Sequence, residues 1–417
     1  MKTIIKSNFF ILTIVSLLLG SFCKKETDND NAFWALLLTN SAKDNSEIIK
    51  RYANLAFKIY EETYTKTVEL KNAVDEYVND PSNQTKLIAV RNKWREARQK
   101  YLLTETLRFS DGPIDNPDIL FVEVDGSPTE LEGLINAWPM DEQFNECYLI
   151  GSNIIGGSGC TQRPLDENSL INFNAENDRE ENVATGWHPI EYLLWGQDDA
   201  DATKDPGRGL TQTIHYFTSD PTFSPRRRTY LKNATNILLN HIKMLKDSWD
   251  PSDQNSYYHK FVNDPNALKK IITGFASFSK NELAAERLNG IDTRDQEDEH
   301  SCFSDTTNQD FYYNALGIKI FFTGDYNGEE GIGLDTISGI YAERILRQLN
   351  LTLDGMNPEI APTYDVVIVP NAPGRTTEHE DQYTNIKFNL RPALNNVGFD
   401  FVEIGTNLGF TIIPRIP

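Results

Sequence analysis

Apolar residues recur at spacings of three and four over long stretches of the chain, and that periodicity predicts helices. The stretch 48–78 gathers Ile49, Tyr52, Leu55, Ala56 and Ile59 on one side before Pro81-Ser82-Asn83 ends it. A second helix is predicted over 85–109, with a stripe of Leu87, Val90, Trp94, Ala97 and Tyr101 and with Arg91, Arg95 and Arg98 beside it. One further step along the stripe lands on Glu105, a carboxylate on an inward face that needs a partner or a shifted protonation equilibrium. Further helices are predicted over 226–248, 267–288, 337–353 and about 382–408, while strand-like alternation is confined to 365–369 and 399–402. Residues 110–170 carry enough Gly and Pro to read as loop, and the Asp- and Pro-rich stretch 198–225 reads as a boundary. The expected fold is all-α, two packed helical bundles over 45–205 and 220–417.

The N-terminus departs from this pattern. Lys2 and Lys6 precede an apolar run over 9–20, the layout of an export signal and too short to span a bilayer comfortably. It leads into Gly20-Ser21-Phe22-Cys23 and then a polar stretch beginning Lys24-Lys25-Glu26. The junction resembles a bacterial lipobox, although Phe22 stands where a strict lipobox has a small residue. We expect a signal peptide over 1–22, a lipidated Cys23 opening a polar tether over 23–44, and a body held at the cell envelope by that anchor. The outer membrane and the periplasmic face of a membrane are both open. Export makes a disulfide feasible. Cys147 and Cys160 flank a loop containing Gly151, Gly156, Gly157 and Gly159 and are expected to pair, leaving Cys302 as a buried thiol. Forty basic residues against 61 acidic ones give a net charge of −21, which disfavours nucleic acid as a partner and leaves cations open.

Chemistry concentrates in Gly186-Trp187-His188-Pro189-Ile190-Glu191, continuing to Asp198. On a helix, His188 and Glu191 share a face and offer the N/O donor pair that suits iron, zinc or another divalent metal. An alternative stays open: Pro189 as an early helical position, His188 flanking the helix and Glu191 reaching back to the backbone in a capping box. The second histidine of a His-Glu-x-x-His zinc peptidase is missing. Glu282 and Glu286 lie four apart, a like-charge pair that Arg287 could relieve. The acidic run 292–299 reads as a solvated loop, and adjacency of His300, Ser301 and Asp305 argues against a catalytic triad.

As a set these strings resemble the imelysin family, classed with metallopeptidases and including iron-regulated envelope proteins. The resemblance rests on Gly186, His188 and Glu191, on Trp94, Arg95, Arg98, Tyr101 and Glu105, and on Gly112-Pro113-Ile114-Asp115. It extends through Glu132-Gly133, Asn136-Ala137-Trp138-Pro139, Glu282-Leu283, Glu286-Arg287, the run from Glu299 to Asp305 with Asp310, and Ile404-Gly405 with Leu408-Gly409. It implies two helical bundles packed face to face, the His-x-x-Glu pair near their interface, and iron-linked physiology. Pro189 stands where the commoner family string has alanine. The 147–160 loop and the 358–373 connection look like local additions. Together the residues and the resemblance give Glu105, Asp115, His188 and Glu191 as ligands of one shared cation, iron first and zinc or another divalent metal second. Arg98 would orient the carboxylates from behind, and Glu282, Glu286, Arg287, Ser304 and Asp305 would line the same cleft. The expected function is capture of iron or a small iron ligand for uptake, in concert with an envelope transport partner and without turnover. A metal-dependent peptidase with Glu191 as general base, and a host- or partner-binding surface lipoprotein with a vestigial cleft, are the alternatives.

Overall fold

A computed structural model describes the backbone from Thr27 to Ile416 and the side chains from Asn45 onward. The signal segment and Cys23 lie outside the described residues. Helix α1, Thr27–Asn79, already occupies most of the stretch expected to be a tether. Clustering of the chain separates a leading unit, Met1–Glu47, from the body, Ile48–Pro417. No helix among the described residues is long and apolar enough to cross a membrane.

Among the described residues the body is all-α apart from one two-stranded hairpin and an isolated bridge between Tyr326 and Glu329. Asn83 caps α2, Gln84–Leu102, by accepting a hydrogen bond from the Lys86 amide. The predicted stripe of α2, Leu87 to Tyr101, is wholly buried. The helix ends about two turns earlier than the pattern suggests, because the Thr104 hydroxyl donates to the Tyr101 carbonyl and the chain tightens into a 3-10 turn, Glu105–Leu107. Glu105 is nonetheless as buried as the stripe predicts. The hairpin pairs β1, Val122–Val124, with β2, Ser127–Thr129, around Asp125-Gly126, both at positive φ as such a tight turn requires.

Helix α3, Trp187–Trp195, carries the histidine motif and is buried along its whole length. The expected boundary at 198–225 contains α4, Gly209–Thr218, whose Thr213, Tyr216 and Phe217 are buried, so that stretch belongs to the packed body. Then follow α5, Phe223–Ser248, and α6, Ala267–Ser277, which continues as a π-helical segment, Phe278–Arg287. Helix α7, Thr307–Thr323, has no counterpart among the sequence-based expectations; it packs on α2 so closely that a Cβ on Gly317 would lie 2.5 Å from the Leu103 carbonyl oxygen. Helices α8, Tyr341–Gly355, α9, Thr377–Asn385, and α10, Arg391–Asn407, complete the body. Both strand-like stretches are helical: 365–369 falls in a short helix, Tyr364–Ile368, and 399–402 lies inside α10. Alternation over four or five residues is too short to outweigh the helical packing around it.

Trp94 joins α2 to α3. Its ring meets Trp187 and Trp195 edge-on at 6.1 and 5.3 Å, and its Nε1 donates to the Trp187 carbonyl. Trp94→Ala is expected to destabilise the protein by about 3–5 kcal/mol in urea unfolding, the usual range for emptying a buried aromatic site. A loss under about 1 kcal/mol would mean that this contact does not hold the motif helix.

Candidate functional site

Gly186 fixes where the motif helix begins. Its φ is 96°, and a Cβ there would sit 2.4 Å from the Ile135 carbonyl oxygen, so any side chain would push α3 off the neighbouring turn. Pro189 is accommodated in the first turn, where its missing N–H is one of those without an intrahelical partner, and His188 lies within the helix. The Glu191 carboxylate does not cap its own helix. Its Oε1 accepts from the Ser304 amide at 3.0 Å and the Ser304 hydroxyl at 2.7 Å, and its Oε2 faces His188 Nδ1 at 3.0 Å. The other imidazole nitrogen, Nε2, is buried without a hydrogen-bond partner.

A second imidazole meets the first. The rings of His188 and His300 lie 4.9 Å apart, nearly perpendicular, with Trp138 4.8 Å from His188. His300 Nδ1 is 2.7 Å from Asp310 Oδ2. Arg98 Nη2 also approaches this nitrogen, at 3.1 Å, but the carboxylate is the better partner for a ring N–H, and Arg98 Nη2 is satisfied by the same Asp310 oxygen at 2.7 Å. Each histidine is thus backed at Nδ1 by a buried carboxylate, the arrangement that orients an imidazole for metal ligation through Nε2. Burial, with Arg98 nearby, pushes His188 well below the ordinary histidine pKa. Burial and Arg287 push His300 down to about 4, so both rings are neutral at pH 7. Burial raises Glu191 to about 8.

His300, with Trp138 and a network of opposed charges, lines a cavity of about 800 Å³; His188 lies buried behind that wall. Arg287 pairs with Glu105 and, at 2.8 Å, with Glu282. Arg108 reaches Glu282 at 2.8 Å, Glu132 at 3.3 Å and Asp115 at 3.6 Å. The π turn explains the pairing: its wider helix brings residues five apart onto one face, so Glu282 meets Arg287 while Glu286 is exposed at the cavity mouth. Burial raises Glu282, but Arg108 and Arg287 outweigh it and hold the acid at about 2. Glu132, also desolvated but paired with Arg108 alone, rises to about 7, and burial raises Asp115 as well. Four carboxylates share two guanidiniums, leaving an acidic surplus beside the cavity.

The four residues expected to share one cation are not gathered. His188 and Glu191 face each other, whereas Glu105 is taken by Arg287 and Asn136, and Asp115 by the Phe109 amide and Arg108. The arginines capture those two carboxylates because each is buried within reach of a fixed guanidinium. Among the described residues, three acidic or imidazole ligand atoms lie within 4.8 Å of one another only at Asp198, Asp305 and Asp365. Arg98 orients Asp310, Ser301 and Asn136 rather than Glu105 or Glu191. Ser304 holds Glu191, while Asp305 faces Asp198 and Asp365. The expected disulfide forms between Cys147 and Cys160, and Cys302 is a buried thiol. His300 and Asp310 complete the imidazole pair. The histidine–glutamate spacing in the motif signals one half, but the second half closes across a turn of ten residues that no helical period marks.

The buried acids set the response to pH. A carboxyl whose folded pKa is raised contributes stability that is full below its unfolded value and lost as pH rises through the folded one. For Glu191 this loss runs from its unfolded value up to about 8 and fades beyond; the part above pH 7 is read free of the imidazoles, which are neutral there whether folded or not. Metal-free protein in EDTA is expected to lose stability between pH 7 and 9, up to about 1.4 kcal/mol per pH unit for each such group. Glu191→Gln is expected to reduce the slope. Urea midpoints that stay level or climb over this interval would contradict the assignment.

The description "Imelysin" belongs to the family model that matches residues 56–351. No curated protein matches the chain. Among solved structures, a "putative iron-regulated protein A precursor" from Parabacteroides distasonis superposes with a TM-score of 0.59 at 17% identity, covering 86% of this chain and 95% of that one. At that identity the likeness is one of fold. The family match spans well over half of the sequence and includes the glycine, histidine and glutamate of the motif, and the chain belongs to the imelysin family.

Proposed function

We propose that this protein captures iron, as the ion or carried by a small ligand, at the paired imidazoles beneath the cavity, for uptake at the cell envelope. The observation that carries the reading is His188 Nε2: a buried, unpartnered nitrogen on a neutral ring whose Nδ1 is backed by Glu191. His300, backed by Asp310, is the second donor. Borderline nitrogen donors suit Fe(II), with Zn(II) as competitor. The surplus of acid over arginine favours a cationic guest. The structural neighbour, named as an iron-regulated protein, and family membership point the same way. Cys23 would supply the lipid anchor, and a transport partner would receive the cargo.

The same geometry argues against Glu191 as a hydrolytic base. Ser304 donates to it twice and His188 occupies its other oxygen, so the carboxylate supports the imidazole instead of facing a water. Ligation at Nε2 would leave the Nδ1 proton on the Glu191 side and release the proton that the raised carboxyl otherwise retains. Affinity is therefore expected to rise between pH 6 and 8.

Anaerobic calorimetric titration with Fe(II), and separately with Zn(II), tests the reading. Expected are one ion per chain, abolition by His188→Ala, and a 10–100-fold weakening (roughly the range for removing an imidazole's supporting partner) in Asp310→Asn. Unchanged binding in His188→Ala, or no binding at all, would remove the imidazole pair as the capture site.

A further inference from the structure

A separate cluster of acids lies on the far side of the Ser304 turn. Asp198 follows α3, Asp305 follows the 3-10 turn Cys302–Ser304, and Asp365 sits in the first turn of the short helix Tyr364–Ile368. Three segments remote in sequence each bring one carboxylate oxygen to within 4.8 Å of the others. The surrounding chain is tied together there: the Ala202 amide donates to the Pro373 carbonyl at 3.0 Å, and the Gly207 amide donates to Asp198 Oδ1.

Both oxygens of Asp198 accept hydrogen bonds, from the Gly207 amide and from Gln296 Nε2 at 3.3 Å, but the other two acids keep unpartnered oxygens and a fourth acid acts on all three. Glu299 is completely buried, with neither oxygen in a well-formed hydrogen bond and only the Thr307 side chain near enough to favour its charge, while Asp365, Asp305 and Asp198 oppose it. Oδ1 of Asp305 and Oδ1 of Asp365 are likewise buried and unpartnered. The cations whose fields reach the cluster are engaged elsewhere. Lys204 is bonded to Asp201 at 3.0 Å, and the Arg95 guanidinium lies over the Trp195 ring at 5.0 Å. This contrasts with the cavity, where guanidiniums are interleaved among the carboxylates. Burial and the neighbouring acids lift Asp198 to about 7 and Asp305 to about 9, as expected of acids lacking a counter-charge.

We propose that Asp198, Asp305 and Asp365, with Glu299 behind them, form a second metal site that takes a hard divalent cation of the calcium class, distinct from the imidazole pair. All the donors are oxygen, with no imidazole or thiolate among the three, which selects against zinc and soft metals. Carboxylates brought in from three separate segments, with no constraint toward regular geometry, suit the large, adaptable calcium shell better than the strict octahedron of magnesium. The ion would act as a clasp. It joins the 358–373 connection to the end of the motif helix and to the turn whose Ser304 holds Glu191, and so stiffens the support of His188 without touching it.

The full-length chain, stripped with EDTA, tests this by thermal melting and calorimetry with calcium chloride at pH 7.5. Calcium is expected to bind once per chain and to raise the melting temperature. Asp365→Asn is expected to melt higher than the parent in EDTA, because one repelling charge is gone, and to lose the calcium response. Those opposite signs separate a cation site from a merely structural residue. If that variant does not fold, Asp198→Asn, which removes another of the three donors, carries the same two readings. His188→Ala is expected to keep the calcium response, so failure of the iron reading and failure of this one are distinguishable. The proposal is overturned if calcium gives neither heat nor a shift, if Asp365→Asn responds like the parent, if His188→Ala abolishes the response, or if only Zn(II) or Fe(II) reproduces it.

Discussion

The Arg98 guanidinium holds the site together. From α2 it reaches Ser301 just before the 3-10 turn Cys302–Ser304, Asp310 on α7 and Asn136 at the end of the helix Glu132–Ile135. A buried cation is tolerated only where nearly all its donors are used and a carboxylate balances it, and Asp310 supplies that balance. The pair holds Asp310 far below the ordinary carboxylate range despite burial. Fixed there as an anion, Asp310 accepts the His300 proton and sets that ring's tautomer. Asn136 passes the linkage on to Glu105, so the imidazole pair and the charged cavity wall form one continuous hydrogen-bonded assembly.

Acidic groups in this body therefore fall into two populations. Glu105, Glu282 and Asp310 are held down by guanidiniums and behave as fixed anions. Glu191, Glu299 and Asp305 are buried with little compensation and are pushed up. The first population builds walls, since removing either partner would strand a charge in low dielectric. The second stores unmet demand for positive charge, and it is located beside the motif helix.

Much of the architecture was legible in the residue pattern, because long helices with one apolar face display their period directly. The α2 stripe and its inward Glu105 are examples, as is the joint placement of His188 and Glu191. What was hidden has identifiable physical causes. Hairpin strands of three residues are too short to alternate visibly, even around an Asp125-Gly126 turn. Helix α7 mixes Asn308, Asp310 and Asn314 among its buried positions, which blurs its stripe. Asp115 and Glu105 read as free ligands because a linear sequence does not show which carboxylates Arg108 and Arg287 will reach. The His300–Asp310 contact and the convergence of Asp198 with Asp365 depend on the path of the chain between them, not on any local period.

The π-helical stretch Phe278–Arg287 has a consequence for how the family should vary. A turn of that kind is equivalent to one supernumerary residue threaded into an ordinary helix, so it conserves count instead of composition. Deleting a single residue between Glu282 and Arg287 would rewind the segment, swing the guanidinium roughly a quarter-turn toward solvent and release both acids it clamps. In any relative that keeps the Glu282 and Arg287 clamp, the number of residues between the two is therefore expected to be held as tightly as the pair itself.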